Sequence, residues 1–581
     1  MVAVRSNSFV QALAVLAASG FVLSSAPAGA QSAAYNGPPL SGAAAFHSYY
    51  AQVHGVAPEL KDLQDALLAD GSSSAAQNSQ LLNADYNLRP QDEPMIGILS
   101  GTGGSNARWV AGANDYSIGA PVGGGMYNSE GVTSFPPFPR LAAGDGMGAV
   151  FFGEPPGGTG DPVIASGHTR GTASIPAGKV VTYYASLAFS SSFCENGIQV
   201  ARSLDNGFSW NRTRVPNYGA SGFATYWDNA FDCSVFNDKE WIAVDNSGGP
   251  HDGRVYVTWS GFLSDATGSY QESPIYMVYS DDNASTFSSP MRISGTSAAF
   301  CTSHSNALSG ASECNENQNS QPQVLPNGDL AVAFENGNGS GFNNGRGQML
   351  ATVYSPATNA IRGPYQIAPV VYDGSFDFPF NADGRQTFCN SNFRSGVSGS
   401  LGADAAGNLY FAYFDDKKHQ GEFITTSGKS IFVGGRSTGY ACPAGKSTDA
   451  DIYVLKSTDG AHTWTDVTPV AGHAGGDQFW PSVAAGGGTV AVLFNDRSYD
   501  PANKLVDVTL ARSGGGGIWR ARRIDAAPSN FDNSFFGTGN FAGDYIDVAV
   551  DQTGTWHAVW TCVAPGKNDS DICIRHGGSD N

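Results

Sequence analysis

The stretch Ser203-Leu204-Asp205-Asn206-Gly207-Phe208-Ser209-Trp210 reads S-x-D-x-G-x-S-W, and it recurs downstream. Ser280-Asp281-Asp282-Asn283-Ala284-Ser285-Thr286-Phe287 keeps the Ser, the Asp and an aromatic end, as does Ser457-Thr458-Asp459-Gly460-Ala461-His462-Thr463-Trp464. Each copy follows a short alternating run that predicts a strand: 197–202, 274–279 and 451–456. A Ser hydroxyl and an Asp carboxylate can accept from nearby backbone N–H groups, while Gly or Asn takes a positive φ. The pattern therefore predicts a self-bonded hairpin corner, with Ser203, Asp205, Gly207 and Trp210 in structural roles. Ser280, Asp282 and Phe287, and Ser457, Asp459 and Trp464, fill the same roles. Three such corners make a repeat, and repeats make an array of small sheets.

The rest of the chain supports a repetitive all-β reading. Its 581 residues exceed one ordinary core, and 74 glycines with only 14 % charged residues suit short strands and tight turns. From about residue 90 a unit recurs: a polar opening, an apolar strand, a glycine turn, a second strand rich in Val, Tyr, Phe and Trp, then a loop and a third strand. Seven openings are legible: Gln91-Asp92-Glu93-Pro94, Gly160-Asp161-Pro162, Asp238-Lys239-Glu240-Trp241, Asn319-Ser320-Gln321-Pro322, Phe393-Arg394-Ser395, Asp477-Gln478-Phe479-Trp480-Pro481 and Gly543-Asp544-Tyr545. The second strands predicted are 107–112, 180–187, 255–261, 330–335, 409–414, 489–494 and 556–561. Residues 127–135 and 512–519 read as worn corners. The expected fold is a β-propeller of four-stranded antiparallel blades, seven preferred and six the alternative. The last unit lacks a fourth strand, which a segment from the N-terminal side would supply.

Three segments are expected. Residues 1–30 carry Arg5, an apolar run 12–23 and Ala28-Gly29-Ala30 before Gln31, the pattern of a cleaved secretory signal. Residues 31–90 hold two helically spaced runs and a polar linker, a helical preface. Residues 91–581 form the propeller. Cleavage would change the net charge from −20 to −21, which argues against nucleic-acid or anionic-membrane partners. No run after the signal is long and apolar enough to span a bilayer. A secreted or periplasmic monomer is expected. Eight cysteines suit export and allow about a hundred pairings. Proximity favours Cys301–Cys314 and Cys562–Cys573, then Cys389–Cys442 and Cys194–Cys233.

The corners and openings resemble the Asp-box, or bacterial neuraminidase repeat, of the sialidase-like β-propellers. Residues 237–245 with 253–259, 477–500 and 539–560 are similar to secreted exo-α-sialidase-like bacterial proteins, and the resemblance spans roughly residues 90–578. It implies a propeller and a carbohydrate substrate. Two corners place Ala284 and Ala461 where the family has Gly. The family's Phe/Tyr-Arg-Ile-Pro motif has no match either: Pro139-Arg140-Leu141 and Ala107-Arg108-Trp109 are the nearest stretches.

Antiparallel alternation places the Ser/Asp corners on one face and the strand openings with the second turns on the other. That second face gathers Asp92, Glu93, Asp161, Asp238, Glu240, Arg394, Asp477 and Asp544 with Asn114-Asp115-Tyr116, Glu335, Asp415-Asp416-Lys417 and Asn495-Asp496-Arg497, and a ligand is expected there, where the ring converges. Asp238, Glu240, Asp477 and Asp544 are the candidate catalytic acids, because glycoside hydrolysis needs two carboxyl groups, one kept protonated by its surroundings. Arg497, Asp496, Arg394, Asp115 and Tyr116 are the candidate substrate contacts. The same openings would also simply hydrate a channel, and Asp496–Arg497 would equally make a salt bridge between blades. No metal constellation, serine-hydrolase elbow, P-loop or zinc motif occurs, so no cofactor is expected, although Asp281-Asp282-Asn283 could hold a structural Ca²⁺. The expected function is a sialidase-like exo-glycosidase acting on a glycan or glycoconjugate; the alternative is a non-catalytic propeller that binds glycan or protein.

Overall fold

Among the described residues of a computed structural model, seven β-sheets of three or more strands follow one another along the chain, with a two-stranded sheet, Phe535–Phe536 and Gly539–Asn540, before the last. The structure describes residues 80–81, 91–115, 123–128 and most of 158–578; residues 1–79, 82–90, 116–122, 129–157, 216–234, 338–346, 371–386, 420–446 and some shorter stretches lie outside the description. Blade 1 comprises Gln91–Ile98, Trp109–Asp115 and Gly123–Asn128, three strands among the described residues. Blade 2 follows with Gly158–His168, Val180–Phe189, Asn196–Ser203 and Asn211–Arg214. Blade 3 is Val235–Val244, Val255–Ser264, Ile275–Ser280 and Met291–Arg292, with Tyr270–Glu272 added beside its second strand. Blade 4 is Asn317–Val324, Leu330–Asn336, Gln348–Ser355 and Ala360–Pro369. Blade 5 is Ser400–Ala403, Leu409–Asp415, Asp451–Ser457 and Thr465–Asp466. Blade 6 is Gln478–Gly486, Thr489–Asp496, Asp507–Gly514 and Trp519–Arg523. Blade 7 is Asp547–Val550, Trp556–Cys562 and Asp571–Gly577. Six sheets thus reach four strands or more, because Gln80–Leu81 pairs antiparallel with Asp571–Gly577 and completes the last. Two residues of the expected preface therefore belong to the propeller; its two helical runs fall outside the described residues, as do residues 1–30.

The second strands show why the fold follows from the sequence. In blade 4, Leu330, Val332 and Phe334 pack toward blade 3, while Ala331 and Ala333 pack toward blade 5. A strand buried on both faces needs a continuous apolar run, which the stretch from Leu330 to Phe334 supplies. The core is accordingly a series of layers between blades, such as Tyr183, Val257, Trp259 and Tyr276 between blades 2 and 3.

The first strands line the hub and are laced to first or second strands of neighbouring blades. Asn114 Oδ1 accepts from Asp161 N at 2.9 Å, Thr258 Oγ1 meets Ser320 Oγ at 2.9 Å, and Ser400 Oγ accepts from Val483 N at 3.0 Å. Asp547 closes the ring. Its carboxylate accepts from Ile96 N at 2.9 Å in blade 1 and from Ser482 Oγ at 2.9 Å in blade 6. Two disulfides join Cys301 to Cys314 and Cys562 to Cys573. Cys389 is also disulfide-bonded, whereas Cys442, Cys194 and Cys233 lie outside the described residues.

The three Ser/Asp corners share one hydrogen-bond scheme. Ser203 Oγ donates to Asp205 at 2.8 Å and accepts from Gly207 N at 2.8 Å; Asp205 accepts from Ser209 N at 2.8 Å, and Trp210 Nε1 donates to Gly207 O at 3.0 Å. Ser280 Oγ accepts from Ala284 N at 2.9 Å, and Ser457 Oγ from Ala461 N at 3.0 Å. Ala284 and Ala461 take φ of 59° and 73°, a left-handed conformation that costs an L-residue roughly 1–2 kcal/mol. Five or more side-chain hydrogen bonds per corner hold them there.

Candidate functional site

Where each first strand begins, its ladder slips. In blades 1, 2, 3, 4 and 6 the register shifts within the first few pairs. One residue at each slip adopts positive φ: Glu93 at 54°, Asp161 at 55°, Lys239 at 50°, Asn319 at 57° and Trp480 at 47°. In blade 7 Gly543 has φ 91° just before the first strand. A bulge re-aims the side chain at the slip, and strained backbone of this kind clusters at functional sites. Here it turns Glu93, Asp161 and Lys239 toward one another.

Lys239 is the centre of the resulting group. Its Nζ lies 2.9 Å from Asp161, 3.6 Å from Glu93 and 3.9 Å from Asp544, and 4.5 Å above the centre of the Tyr545 ring. Asp544 is shared with Arg394, whose Nε donates to it at 3.2 Å and whose Nη2 also contacts it, and the Arg394 guanidinium lies 4.6 Å from the Phe541 ring centre. Asn114 Nδ2 donates to Glu93 at 2.7 Å. Blades 1, 2, 3 and 7, with the segment leading into blade 5, therefore meet at one charged knot. Asp92, Glu93, Asp238, Lys239, Glu240, Arg394 and Asp544 are all buried.

Six carboxyl groups, those of Asp92, Glu93, Asp161, Asp238, Glu240 and Asp544, thus share two cations, Lys239 and Arg394. Burial would favour the neutral amine of Lys239, but the charges of Asp161, Glu93, Asp544 and Asp238 outweigh it and hold the ammonium form. Burial pushes the Glu93 carboxyl well up, and the negative charge of Asp161 adds to that more than Lys239 offsets. Burial likewise raises Asp92, against the hydrogen bond from Asn114. Glu240 is raised by burial first and by Asp161 second, and neither of its carboxyl oxygens accepts a hydrogen bond from another described residue. Burial thus raises Asp92, Glu93 and Glu240 while Asp161 and Asp544 pair with the cations.

The other candidates separate from this knot. Asp477 is buried in blade 6, where it accepts from Thr448 Oγ1 at 2.8 Å, Asn503 Nδ2 at 2.9 Å and Ala450 N at 3.1 Å, and pairs with Arg497 at 3.4 Å. Burial pushes it up to about 6, with Arg497 acting the other way. The Arg497 guanidinium sits 5.6, 5.2 and 5.7 Å from the ring centres of Phe388, Phe393 and Phe479. Three aromatic rings thus enclose the Arg497 guanidinium beside Asp477. Asp496 accepts from Thr509 Oγ1 at 2.6 Å and Ser498 N at 2.9 Å, binding its own turn. Asp115 ends the second strand of blade 1, and Tyr116 lies outside the described residues. Glu335 is buried, accepts from Asn319 Nδ2 at 3.1 Å, and is pushed up by burial to about 8.

An axial cavity of about 610 Å³ runs from the waist of the hub toward the face where the first strands end. Met95, Ile242, Val324, Leu401, Val483 and Val548 line it with Asp547, and Ser247, Pro326 and Asp404 stand at its mouth. At the strand openings the described residues bring charged side chains together near the axis, and this cavity opens toward the other face. None of the three Ser/Asp corners lines it. Blade 3 fixes the polarity: Ser280 pairs with Val255 level with Val244, whereas Asp238 pairs with Ser260 at the opposite end. Among the described residues no group of three or more His, Cys, Asp or Glu could hold a metal, and no helix is long and apolar enough to cross a membrane.

Sequence reading placed Asp238, Glu240, Arg394 and Asp544 on this face but not Lys239 at its centre. The available signal was the recurring Asp/Glu-Pro or Trp-Pro step at 93–94, 161–162 and 480–481, which marks the bulge. What the bulge brings together is a β-propeller whose hub is closed at one end by carboxyl groups. No family model and no curated protein matches the chain. Among solved structures it is similar to a Hadza microbial sialidase, at 12 % identity over 69 % of this chain and 63 % of that one, with a TM-score of 0.36. It is similar too to the GH93 α-L-arabinofuranosidase of Fusarium graminearum, solved with arabinobiose, at 10 % identity over 86 % and 97 % of the two chains, TM-score 0.37. A Penicillium chrysogenum α-L-arabinanase gives 12 % identity, 86 % and 98 % coverage and a TM-score of 0.36. These likenesses carry no argument about what this chain binds or cleaves.

Proposed function

We propose that the protein is a secreted, glycan-processing hydrolase of the Asp-box propeller type, acting at the end of the hub that holds Lys239. The observation that supports this most directly is the contrast between two neighbouring carboxyl groups. Glu240 is buried, raised in pKa and without a hydrogen bond from another described residue, whereas Asp161 is paired at 2.9 Å with an ammonium. The first is suited to give a proton to a leaving oxygen, and the second holds a carboxyl group paired with Lys239 beside it. Asp238 and Asp544 flank them, and Arg394 fixes Asp544. Asp477 is retained as a candidate acid of a separate subsite with Arg497. No cofactor enters this scheme. The disulfides fit an oxidising compartment, and the signal-like residues 1–30 fit export.

A screen of aryl glycosides and oligosaccharides with the purified protein tests this, run beside Glu240→Gln and Asp544→Asn. A true acid loses roughly 10²- to 10⁴-fold in turnover on Glu240→Gln. Turnover unchanged by either substitution removes the site. A second reading has its own support, since Lys239 and Arg394 already pair with the carboxylates they touch. Such a knot also suits a non-catalytic propeller that binds a glycan or protein over a rigid hub. Binding on a glycan array with no hydrolysis of any member would select it.

A further inference from the structure

A second concentration of charge lies on the rim of the ring, and its sign opposes that of the chain. The outer strand of blade 6, Trp519–Arg523, carries Arg520, Arg522 and Arg523. Arg520 stands directly across the ladder from Arg512, and Arg522 across from Leu510, so these side chains share one face of the sheet. That face is the one toward blade 7: Leu510 packs with Trp556 and Trp560, and the Arg522 guanidinium lies 5.1 Å from the Trp556 ring centre. Arg575 reaches back from blade 7 to donate to Ile524 O, and Arg512 donates to Gly578 O. Arg512, Arg520, Arg522 and Arg575 thus collect in the cleft between the rims of blades 6 and 7.

No carboxylate pairs with these four among the described residues, although the whole chain has a net charge of −20. Only Arg523, on the opposite face, has one, in Asp507. Arg522 Nε is buried without a hydrogen-bond partner. Burial and then the charges of Arg512 and Arg575 hold Arg522 below its ordinary range. Like charges directly opposite on a ladder are destabilising, so folding alone does not account for the group. Charge on an edge strand deters unwanted pairing, but that requirement ends with the edge strand; Arg512 and Arg575 are on other strands.

We propose that this cleft binds the oxyanion groups of an acidic polysaccharide. Guanidinium forks suit carboxylate and sulfate ester oxygens, and Arg522 lies over the Trp556 ring. Arg520 and Arg522 repeat along the strand at about 7 Å, which suits a polymer with regularly spaced anions. Ile518 is 90 % exposed beside the cleft, yet one apolar side chain is not a membrane-inserting face. The proposal is independent of whether the hub is catalytic.

The full chain is titrated with dextran sulfate and, separately, with polygalacturonate at pH 7 and low salt. Micromolar or tighter binding to at least one polymer is expected, weakening steeply with salt. Arg520→Glu with Arg575→Glu should weaken it by at least tenfold. Lys179→Glu with Arg108→Glu makes the same change in net charge at exposed sites of other blades and should leave binding as it is. Unfolding midpoints verify that both pairs fold; Arg520→Gln with Arg575→Gln replaces the first pair if it does not. Preference for the sulfated or the uronate polymer identifies the oxyanion. The proposal is overturned by no binding to either polymer, by equal losses in the two pairs, or by binding only to vesicles of anionic lipid.

Discussion

Asp547 offers the sharpest test of how the ring is closed. It is half-buried at the hub, and loss of solvent there pushes its carboxyl up to about 7 in spite of hydrogen bonds from Ile96 N and Ser482 Oγ. In the unfolded chain an aspartate titrates near 3.9. Between about pH 4 and pH 7 the folded protein therefore holds a proton that the unfolded chain has released. Stability must fall as pH rises through that window and level off above it. At about 1.4 kcal/mol per pH unit, a shift of some three units is on the order of 4 kcal/mol. Asp547 lines the axial cavity, and solvent there should reduce the effect to roughly 2 kcal/mol. Asp547→Asn resembles the protonated acid: its oxygen can still accept from Ile96 N, and its amide can donate to Ser482 Oγ. Urea unfolding of the two proteins at pH 4 and pH 8 should show near-equal stability at pH 4 and a variant more stable by about 2 kcal/mol at pH 8. A difference identical at both pH values would refute the reasoning, because it would mean that Asp547 holds its proton no more tightly in the folded protein than in the unfolded chain.

Three further outcomes are expected. Lys239→Met leaves Glu93, Asp161 and Asp544 without their shared cation and should destabilise by about 3–5 kcal/mol, less at pH 5 than at pH 8; urea midpoints at the two pH values check it. Ser457→Ala removes the hydroxyl that donates to Asp459 at 2.9 Å and accepts from Ala461 N at 3.0 Å, at a cost of about 1–3 kcal/mol by thermal unfolding. Thr463, Ser457 and the turn backbone hold the Asp459 carboxyl down at about 2, so that corner's contribution is complete above pH 4 and is lost as the pH falls toward 2. Replacing Cys562 and Cys573 by Ser opens an 11-residue loop and should cost about 3 kcal/mol, read as a urea midpoint lower than that of the oxidised wild type.

Local order along the chain was enough to read the architecture. Short apolar runs such as 330–335 and 409–414 appear as strands of nearly the same extent, Leu330–Asn336 and Leu409–Asp415, because a strand buried on both faces has no freedom in composition. The Ser/Asp corners were equally legible, since every partner lies within seven residues in sequence. The 13- and 11-residue disulfide loops needed only proximity. Candidate acids and Arg394 could be assigned to a face by counting strand reversals, and Asp238, Glu240, Asp544 and Arg394 lie together at the strand openings.

What the sequence could not give was the company each side chain keeps. Lys239 meets Glu93, Asp161 and Asp544 across up to 305 positions of chain, through bulges whose direction depends on a register slip. Asp477 and Arg497 begin in similar openings and turns, yet an aromatic enclosure takes them elsewhere. Whether the hub end is hollow or filled also follows from ring closure, which sets how closely seven first strands approach. Spacing along the chain encodes strands and turns because their partners are near neighbours. Burial, protonation and pairing of a carboxyl depend on residues hundreds of positions away, and those distances exist only once the ring has closed.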